Sequence, residues 1–344
     1  MIRFNCDYTE GAHPQILQRL IDTNMEQHPG YSEDEYCRRA AEKIRGLCQA
    51  PEAAVHFIVG GTQTNLIVIA SALRPHQGVV CADTGHINVH ETGAIEATGH
   101  KVLGLPSVNG KITAEQVAEY CEEHIHNPAF EHIVQPGMVY ISIPTEYGTM
   151  YSKDELTALS KVCRQYDLPL YVDGARLAYG LAAEGNDLSL PDLAALCDAF
   201  YIGGTKVGAL FGEAVVITNA AMKKDFRYIM KQKGAMLAKG RLLGVQFDAM
   251  FDNDLYFEMG RHATGLALKI RDAFAAAGYP FLIESPTNQQ FVVLPDSKLA
   301  ILERDFAIEY MERVDADHSA VRFCTSWATR PEDVDTLIEA IQKL

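Results

Sequence analysis

Apolar residues fall into two kinds of run along this chain. Short uninterrupted runs, rich in Val, Ile, Tyr and Phe, occur at Ala53–Val59, Val79–Ala82, Val102–Leu105, Met138–Ile143, Leu170–Val172, Ala199–Ile202 and Ala214–Ile217. Each predicts a strand. None alternates polar with apolar, so both faces of these strands are expected to be covered. Between them lie segments of helical period, at Leu66–Leu73, from about Ile87, and at Thr113–His126, Ser152–Tyr166, Leu177–Ala183 and Leu190–Leu196. Thr113 is a helix cap, and Ser152 with Glu155 forms the Ser-x-x-Glu capping box. Strands alternating with helices predict an α/β domain with a mostly parallel sheet flanked by helices. Upstream, a strand-like Ile2–Asp7 precedes two helices, one at about Pro14–Met25 and one from Ser32 to about Cys48. The first has proline in its first turn and the second an acidic, capped start.

The pattern changes near residue 220. Helical sequence continues with breaks to Ala277, followed by short strands at Phe281–Ile283, Phe291–Leu294 and Val321–Cys324 and a final helix at Pro331–Leu344. This part reads as a smaller α+β unit. We expect a large domain over 1–245, with the N-terminal segment, and a small C-terminal domain over 246–344. No Pro/Gly/Ser-rich linker separates the two, and no internal repeat appears.

Composition narrows the function. The chain has 344 residues, 48% hydrophobic and 22% charged, with a formal net charge of -15. That is material for a large core, and its acidity without any Lys/Arg run argues against a nucleic-acid partner. No apolar run approaches the ~18 residues of a membrane span, and Met1 to Asp7 is not a signal-peptide core, so a cytoplasmic protein is expected. The eight cysteines form no Cys-x-x-Cys pair, and Cys81, Cys163 and Cys197 sit in apolar runs. Reduced, mostly buried thiols follow, rather than disulfides or a cysteine zinc site.

In a doubly wound sheet, ligands bind beyond the carboxyl ends of the strands. Four stretches there carry unusual residues. Gly60-Gly61-Thr62-Gln63-Thr64-Asn65 joins a strand to a helix, and it reads as a cradle for a single phosphate or as a glycine turn with a threonine cap. It matches neither dinucleotide nor nucleoside-triphosphate motifs. Asp83-Thr84-Gly85-His86-Ile87-Asn88-Val89-His90-Glu91 holds two histidines four apart. It lacks the Glu between them that a His-Glu-x-x-His metal site has, so no metal is expected, and His86 is placed to stack on a flat ring. Val172-Asp173-Gly174-Ala175-Arg176 ends a core strand with a carboxylate that needs a cation, either a protonated pyridine nitrogen or Arg176 in a structural ion pair. Tyr201-Ile202-Gly203-Gly204-Thr205-Lys206 ends another with a lysine, a costly resident of such a place unless it is paired, neutral or snorkelling to water.

Taken together, a phosphate loop, a flat aromatic base, a carboxylate for a pyridinium and a lysine fit for a Schiff base are what pyridoxal phosphate requires. With these residues in hand, the chain resembles the low-specificity threonine aldolases of the β-eliminating lyase group, within the aspartate-aminotransferase (type I) fold of pyridoxal-phosphate enzymes. The resemblance extends over essentially the whole length. It implies that Gly61 and Thr62 bind the phosphate, that His86 stacks on the ring with Glu91 behind it, and that Asp173 holds the pyridinium. Lys206 then matches the Schiff-base lysine, preceded by Thr205. Arg176 and Arg322 match arginines that reach the substrate carboxylate. Tyr31 matches an aromatic residue serving a neighbouring subunit's site, to which Lys233 or Lys239 lends a cation. A homo-oligomer, dimer or tetramer, with shared sites is implied.

Three positions depart from the family's pattern. Thr205 replaces a serine, Cys6 stands where a serine contacts the substrate carboxylate, and Glu146, in Pro144-Thr145-Glu146-Tyr147-Gly148, takes the place of a histidine near the substrate side chain. The implied reaction is cleavage of a β-hydroxy-α-amino acid, such as threonine or allo-threonine, to glycine and an aldehyde, with Glu146, His86 or a water as the base. The alternatives are β-elimination from another amino acid on the same scaffold, or a pyridoxal-phosphate-binding protein with little turnover.

Overall fold

The computed structural model describes residues 1–344. In chain order its strands are β1 (Ile2–Arg3), β2 (Ala54–Ile58), β3 (Gln77–Ala82), β4 (Lys101–Leu105), β5 (Gln135–Ser142), β6 (Leu170–Asp173), β7 (Ala199–Gly203) and β8 (Glu213–Ile217). The remainder are β9 (Phe281–Ile283), β10 (Gln289–Pro295), β11 (Phe306–Ala307), β12 (Glu309–Arg313) and β13 (His318–Cys324). A seven-stranded sheet in the order β2-β8-β7-β6-β5-β3-β4 forms the body of the protein. Its pairings are parallel from β7 to β4, whereas β8 runs antiparallel to both β2 and β7.

The uninterrupted apolar runs have the anticipated cause. Along the strands, alternate residues enter opposite cores. Val139, Ile141, Val172, Phe200 and Ile202 join one, and Met138, Tyr140, Tyr171, Ala199 and Tyr201 join the other. Helices such as Ala114–His126 and Lys153–Gln165 cover the first face, and Gly61–Ala72 covers the second. The Thr113 and Ser152 capping boxes both form.

A four-stranded antiparallel sheet, β12-β13-β10-β9, and the helix Pro331–Gln342 build the smaller unit. The helix Leu255–Ala276 joins the two cores. Its early residues Tyr256 and Met259 pack in the large core, and Leu266, Ile270 and Phe274 pack in the small one. Position 245 falls inside the preceding helix, Arg241–Met250.

Several local expectations are corrected. The helix expected at Leu66–Leu73 begins at Gly61, because Gly60 is extended and acts as its cap, so the glycine loop is the helix's own first turn. The helix expected from Ile87 is a single turn, His86–Val89. The opening strand is only Ile2–Arg3, paired with β11. Strands β11 and β12 and the helix Asp296–Leu302 were not anticipated; β12, Glu-Tyr-Met-Glu-Arg, is polar because it is a half-exposed edge strand.

Candidate active site

A cavity of about 660 Å³ opens where the carboxyl ends of β5, β6 and β7 meet the edge of the small sheet. Glycines allow this convergence. A Cβ on Gly174 would sit 1.9 Å from the Tyr201 carbonyl oxygen, and one on Gly203 would sit 2.4 Å from that of Ala175. The Asp173 and Lys206 loops therefore cross at backbone contact, a separation that no side chain at either position permits.

Asp173, at the end of β6, is 5% exposed. It accepts hydrogen bonds from Tyr201 Oη at 2.5 Å, Tyr140 Oη at 2.7 Å, Asn65 Nδ2 at 3.1 Å and the Ala175 N–H at 3.0 Å. Burial works to raise its pKa, but the nearby His86 and the two tyrosine hydroxyls outweigh it and keep the group a carboxylate. The Arg176 ion pair considered from sequence is absent. Arg176 instead grips Asp7 through Nε at 2.7 Å and Nη2 at 3.0 Å. Asp7 is fully buried and also accepts from Asn288 Nδ2 at 3.0 Å, and despite burial Arg176 holds its carboxyl far below the ordinary range.

Lys206 lines the cavity one turn beyond β7, with its backbone carbonyl bonded by the Tyr179 hydroxyl. Its ammonium has no carboxylate partner and lies 6.0 Å from the centre of the Tyr8 ring. Burial first, then Arg176, lowers its pKa, which favours the neutral, nucleophilic amine. Thr205, beside it, accepts the Gly212 N–H at 3.0 Å.

The helix Gly61–Ala72 points its N-terminus into the same cavity, which Gly61 and Thr62 line. Gly60 supplies no side-chain cap, so the N–H groups of the first turn are open to an anion. His86, Nδ1 held by Glu91 Oε1 at 2.8 Å, forms another wall. Burial would lower its pKa, but the Glu91 bond and Asp173 raise it. Glu146 has one oxygen anchored, Oε1 accepting from Ser142 Oγ at 2.7 Å and from the His86 N–H at 2.9 Å. Burial, with Asp173 nearby, raises its pKa against those bonds.

From the small unit, Arg322 on β13 reaches the cavity. Its Nη1 donates to Gln289 Oε1 at 3.2 Å and its Nη2 to the Asn5 carbonyl at 2.9 Å, while Nε is buried without a partner. A guanidinium balanced only by neutral groups is a site for an anion.

Of the residues singled out from sequence, Gly61, Thr62, His86, Glu146, Asp173, Arg176, Thr205, Lys206 and Arg322 line this one cavity. Cys6 and Tyr31 do not. Tyr31 is 45% exposed at the surface, 4.6 Å from Lys231 Nζ, and Lys233 and Lys239 also lie outside the cavity. Sequence reasoning passed over Asp7, Asn65, Glu213 and the tyrosine layer of Tyr140, Tyr171 and Tyr201. The tyrosines had a signal. They recur near the ends of adjacent core strands, where a hydroxyl needs a buried acceptor. Asp7 and Asn65 had none, since their partners are distant in the chain.

The residues present fit pyridoxal phosphate. The cavity joins an uncapped helix terminus to a buried, ionised Asp173 and an unpaired lysine, which answer its phosphate, ring nitrogen and aldehyde.

The chain is 28% identical over 345 residues to the low specificity L-threonine aldolase of Pseudomonas aeruginosa, covering 99% of this chain and 97% of that one. It is 43% identical to the solved threonine aldolase of Leishmania major, with a TM-score of 0.97 over 100% of this chain and 99% of that one. The aspartate aminotransferase of Thermus thermophilus, 16% identical, superposes with a TM-score of 0.72 over 100% of this chain and 91% of that one, and so shares the fold. The family model for beta-eliminating lyases matches residues 5–297, and the chain belongs to that family.

Proposed function

We propose that this protein is a pyridoxal-phosphate-dependent aldolase that cleaves β-hydroxy-α-amino acids, threonine or allo-threonine among them, to glycine and an aldehyde. The observation that carries the reading is the meeting, in one cavity, of the unpaired Lys206 and ionised Asp173 with an Arg322 guanidinium that has no anionic partner. The full-length likeness to threonine aldolases supports it.

Gly61, Thr62 and Thr205 would hold the cofactor's phosphate, His86 its ring face, Asp173 its ring nitrogen and Lys206 its aldehyde carbon. What the cofactor supplies when bound is a sink for the electron pair released as a bond to the α-carbon breaks. Asp173 keeps a proton on the ring nitrogen, and its four donors hold it ionised for that task. Arg322 binds the substrate carboxylate. Arg176, committed to Asp7 through two of its three nitrogens and neutralised by it, orients that wall. Glu146 takes the proton of the β-hydroxyl through Oε2, since Oε1 is anchored. Its raised pKa suits a base better than that of His86, whose bond to Glu91 favours the protonated ring. Tyr31, with Lys233 or Lys239, would serve a second copy's site in a homo-oligomer.

The test is direct. With pyridoxal phosphate added, L-threonine and L-allo-threonine should give glycine and acetaldehyde in equal amounts. Ammonia and a 2-oxo acid in their place overturn the aldolase reading. A Lys206→Ala variant should lose the visible absorbance of the bound cofactor, and retention of the band refutes the role of Lys206.

A further inference from the structure

Glu213 is a buried carboxyl that the reaction above leaves unused. It opens β8 and pairs in register with Ile58 of β2 on one side and Gly203 of β7 on the other. This places it between the strand that leads into the Gly61 helix and the strand that leads to Lys206. It is 3% exposed, and what it does expose lines the cavity with Gly61, Thr62 and Thr205. Its Oε2 accepts the Gly204 N–H at 2.9 Å. No cation forms an ion pair with it. The same end of the cavity offers an anion the backbone N–H groups of the Gly61 helix terminus and the Thr62 hydroxyl.

We propose that Glu213 is a proton donor within the phosphate site, its carboxyl in the acid form giving an O–H hydrogen bond to an oxygen of the phosphate that the Gly61 helix terminus receives. The proposal rests on the cofactor reading above. With Oε2 accepting from Gly204, the proton sits on Oε1, so the group turns a donor to the ligand. An ionised Glu213 would instead place like charge against the phosphate. Binding of a phosphate monoester is thereby coupled to one proton held by the protein.

The surroundings favour the acid form. Burial raises the pKa of Glu213 to about 8, against the Thr205 and Gly204 hydrogen bonds. Lys206 favours the ionised form and Asp173 opposes it. Tyr171, Tyr201 and Tyr256 also face the group, and burial holds all three neutral. The group's pKa is raised, so the donor is present below that value and is lost as pH rises through it.

The probe is 4-deoxypyridoxine 5′-phosphate, which lacks the aldehyde and so cannot react with Lys206. Its binding to the full protein, by calorimetry, is compared with that of dephosphorylated 4-deoxypyridoxine. Between about pH 7 and about pH 9.5, the phosphate compound's affinity relative to its control should fall about thirtyfold, with uptake of about one proton on binding at the alkaline end. Glu213→Gln, whose amide donates at every pH, should bind the phosphate compound tightly and without this slope. Glu213→Ala should bind it roughly ten- to a hundredfold more weakly at neutral pH. A flat wild-type ratio overturns the proposal, as does a slope that persists in Glu213→Gln, which would assign the titration to Lys206. If the wild type binds neither compound at any pH, the cofactor reading itself fails. No amino acid is present, so these results are independent of which bond the enzyme cleaves.

Discussion

Replacing Arg322 by lysine separates the two arginines that line the cavity. Arg322 has a buried Nε without a partner and two Nη groups bonded to neutral acceptors. Arg176 already has Nε and Nη2 on Asp7. A substrate carboxylate can therefore be gripped by two nitrogens only at Arg322. Lysine keeps the charge but presents a point donor, so about one charge-assisted hydrogen bond is lost, worth about 1.5–3 kcal/mol. That is about a 10- to 150-fold loss in kcat/KM. The carboxylate is held equally in the bound substrate and in the transition state, so the loss should appear as a raised KM with kcat largely kept. The assay is steady-state cleavage of threonine with acetaldehyde reduced by a coupled dehydrogenase. In the reverse direction, KM for glycine should rise by the same factor and KM for acetaldehyde should not move. A KM unchanged within about twofold, or a fall confined to kcat, refutes the assignment of the carboxylate to Arg322.

Asp173→Asn keeps the size of the side chain but removes the negative charge that we propose faces the cofactor's ring nitrogen. A pair at about 4 Å with an effective dielectric near 20 attracts by about 4 kcal/mol, so kcat should fall by up to about a thousandfold. Glu146→Gln should lower kcat by about 10²- to 10⁴-fold. In the wild type, activity should drop as pH falls through the raised pKa of Glu146, and the variant's residual rate should lack that acid limb in a pH–rate profile. Asp7→Asn leaves the Arg176 guanidinium buried without its counter-charge and should cost about 3–5 kcal/mol of stability in denaturant unfolding. Because Arg176 lowers the folded pKa of Asp7, its contribution is complete above about pH 4 and disappears as pH falls from there through the folded value. The variant's acid unfolding should accordingly be shallower.

The body of the fold was legible because its strands are covered on both faces. Val139 and Met138, neighbours in sequence, face different cores, and that requires the uninterrupted apolar runs from which the parallel sheet was read. Residues on short turns at strand ends, such as Asp173 and Lys206, were legible for a related reason, since charge at the end of an apolar run calls for an explanation. Strand β12 was not legible. It lies at an edge, half exposed, and only its pairing with β13 makes it a strand. Of the two partners read for Asp173, the Arg176 ion pair does not form. The sequence places Arg176 three residues away, yet the carboxylate is satisfied by two tyrosines and an asparagine from other elements, and no local pattern records those.

Asp7 shows why such a site needs the very start of the chain. Ile2 and Arg3 pair with Phe306 and Ala307, Phe4 packs in the small core, and the Cys324 N–H bonds the Phe4 carbonyl at 2.7 Å. The next residues turn back to the large sheet. The Asn5 carbonyl accepts from Arg322, Asp7 from Arg176 and Asn288, and Tyr8 reaches the cavity beside Lys206. One short stretch therefore sets both arginines with respect to the lysine, although Arg176 belongs to the large unit and Arg322 to the small one. The backbone carbonyl of Asn5 orients Arg322 without neutralising it, while Asp7 neutralises Arg176. The same segment thus leaves one guanidinium without an anionic partner and closes the other, and this asymmetry is the ground on which we propose Arg322, not Arg176, as the receptor for a substrate carboxylate.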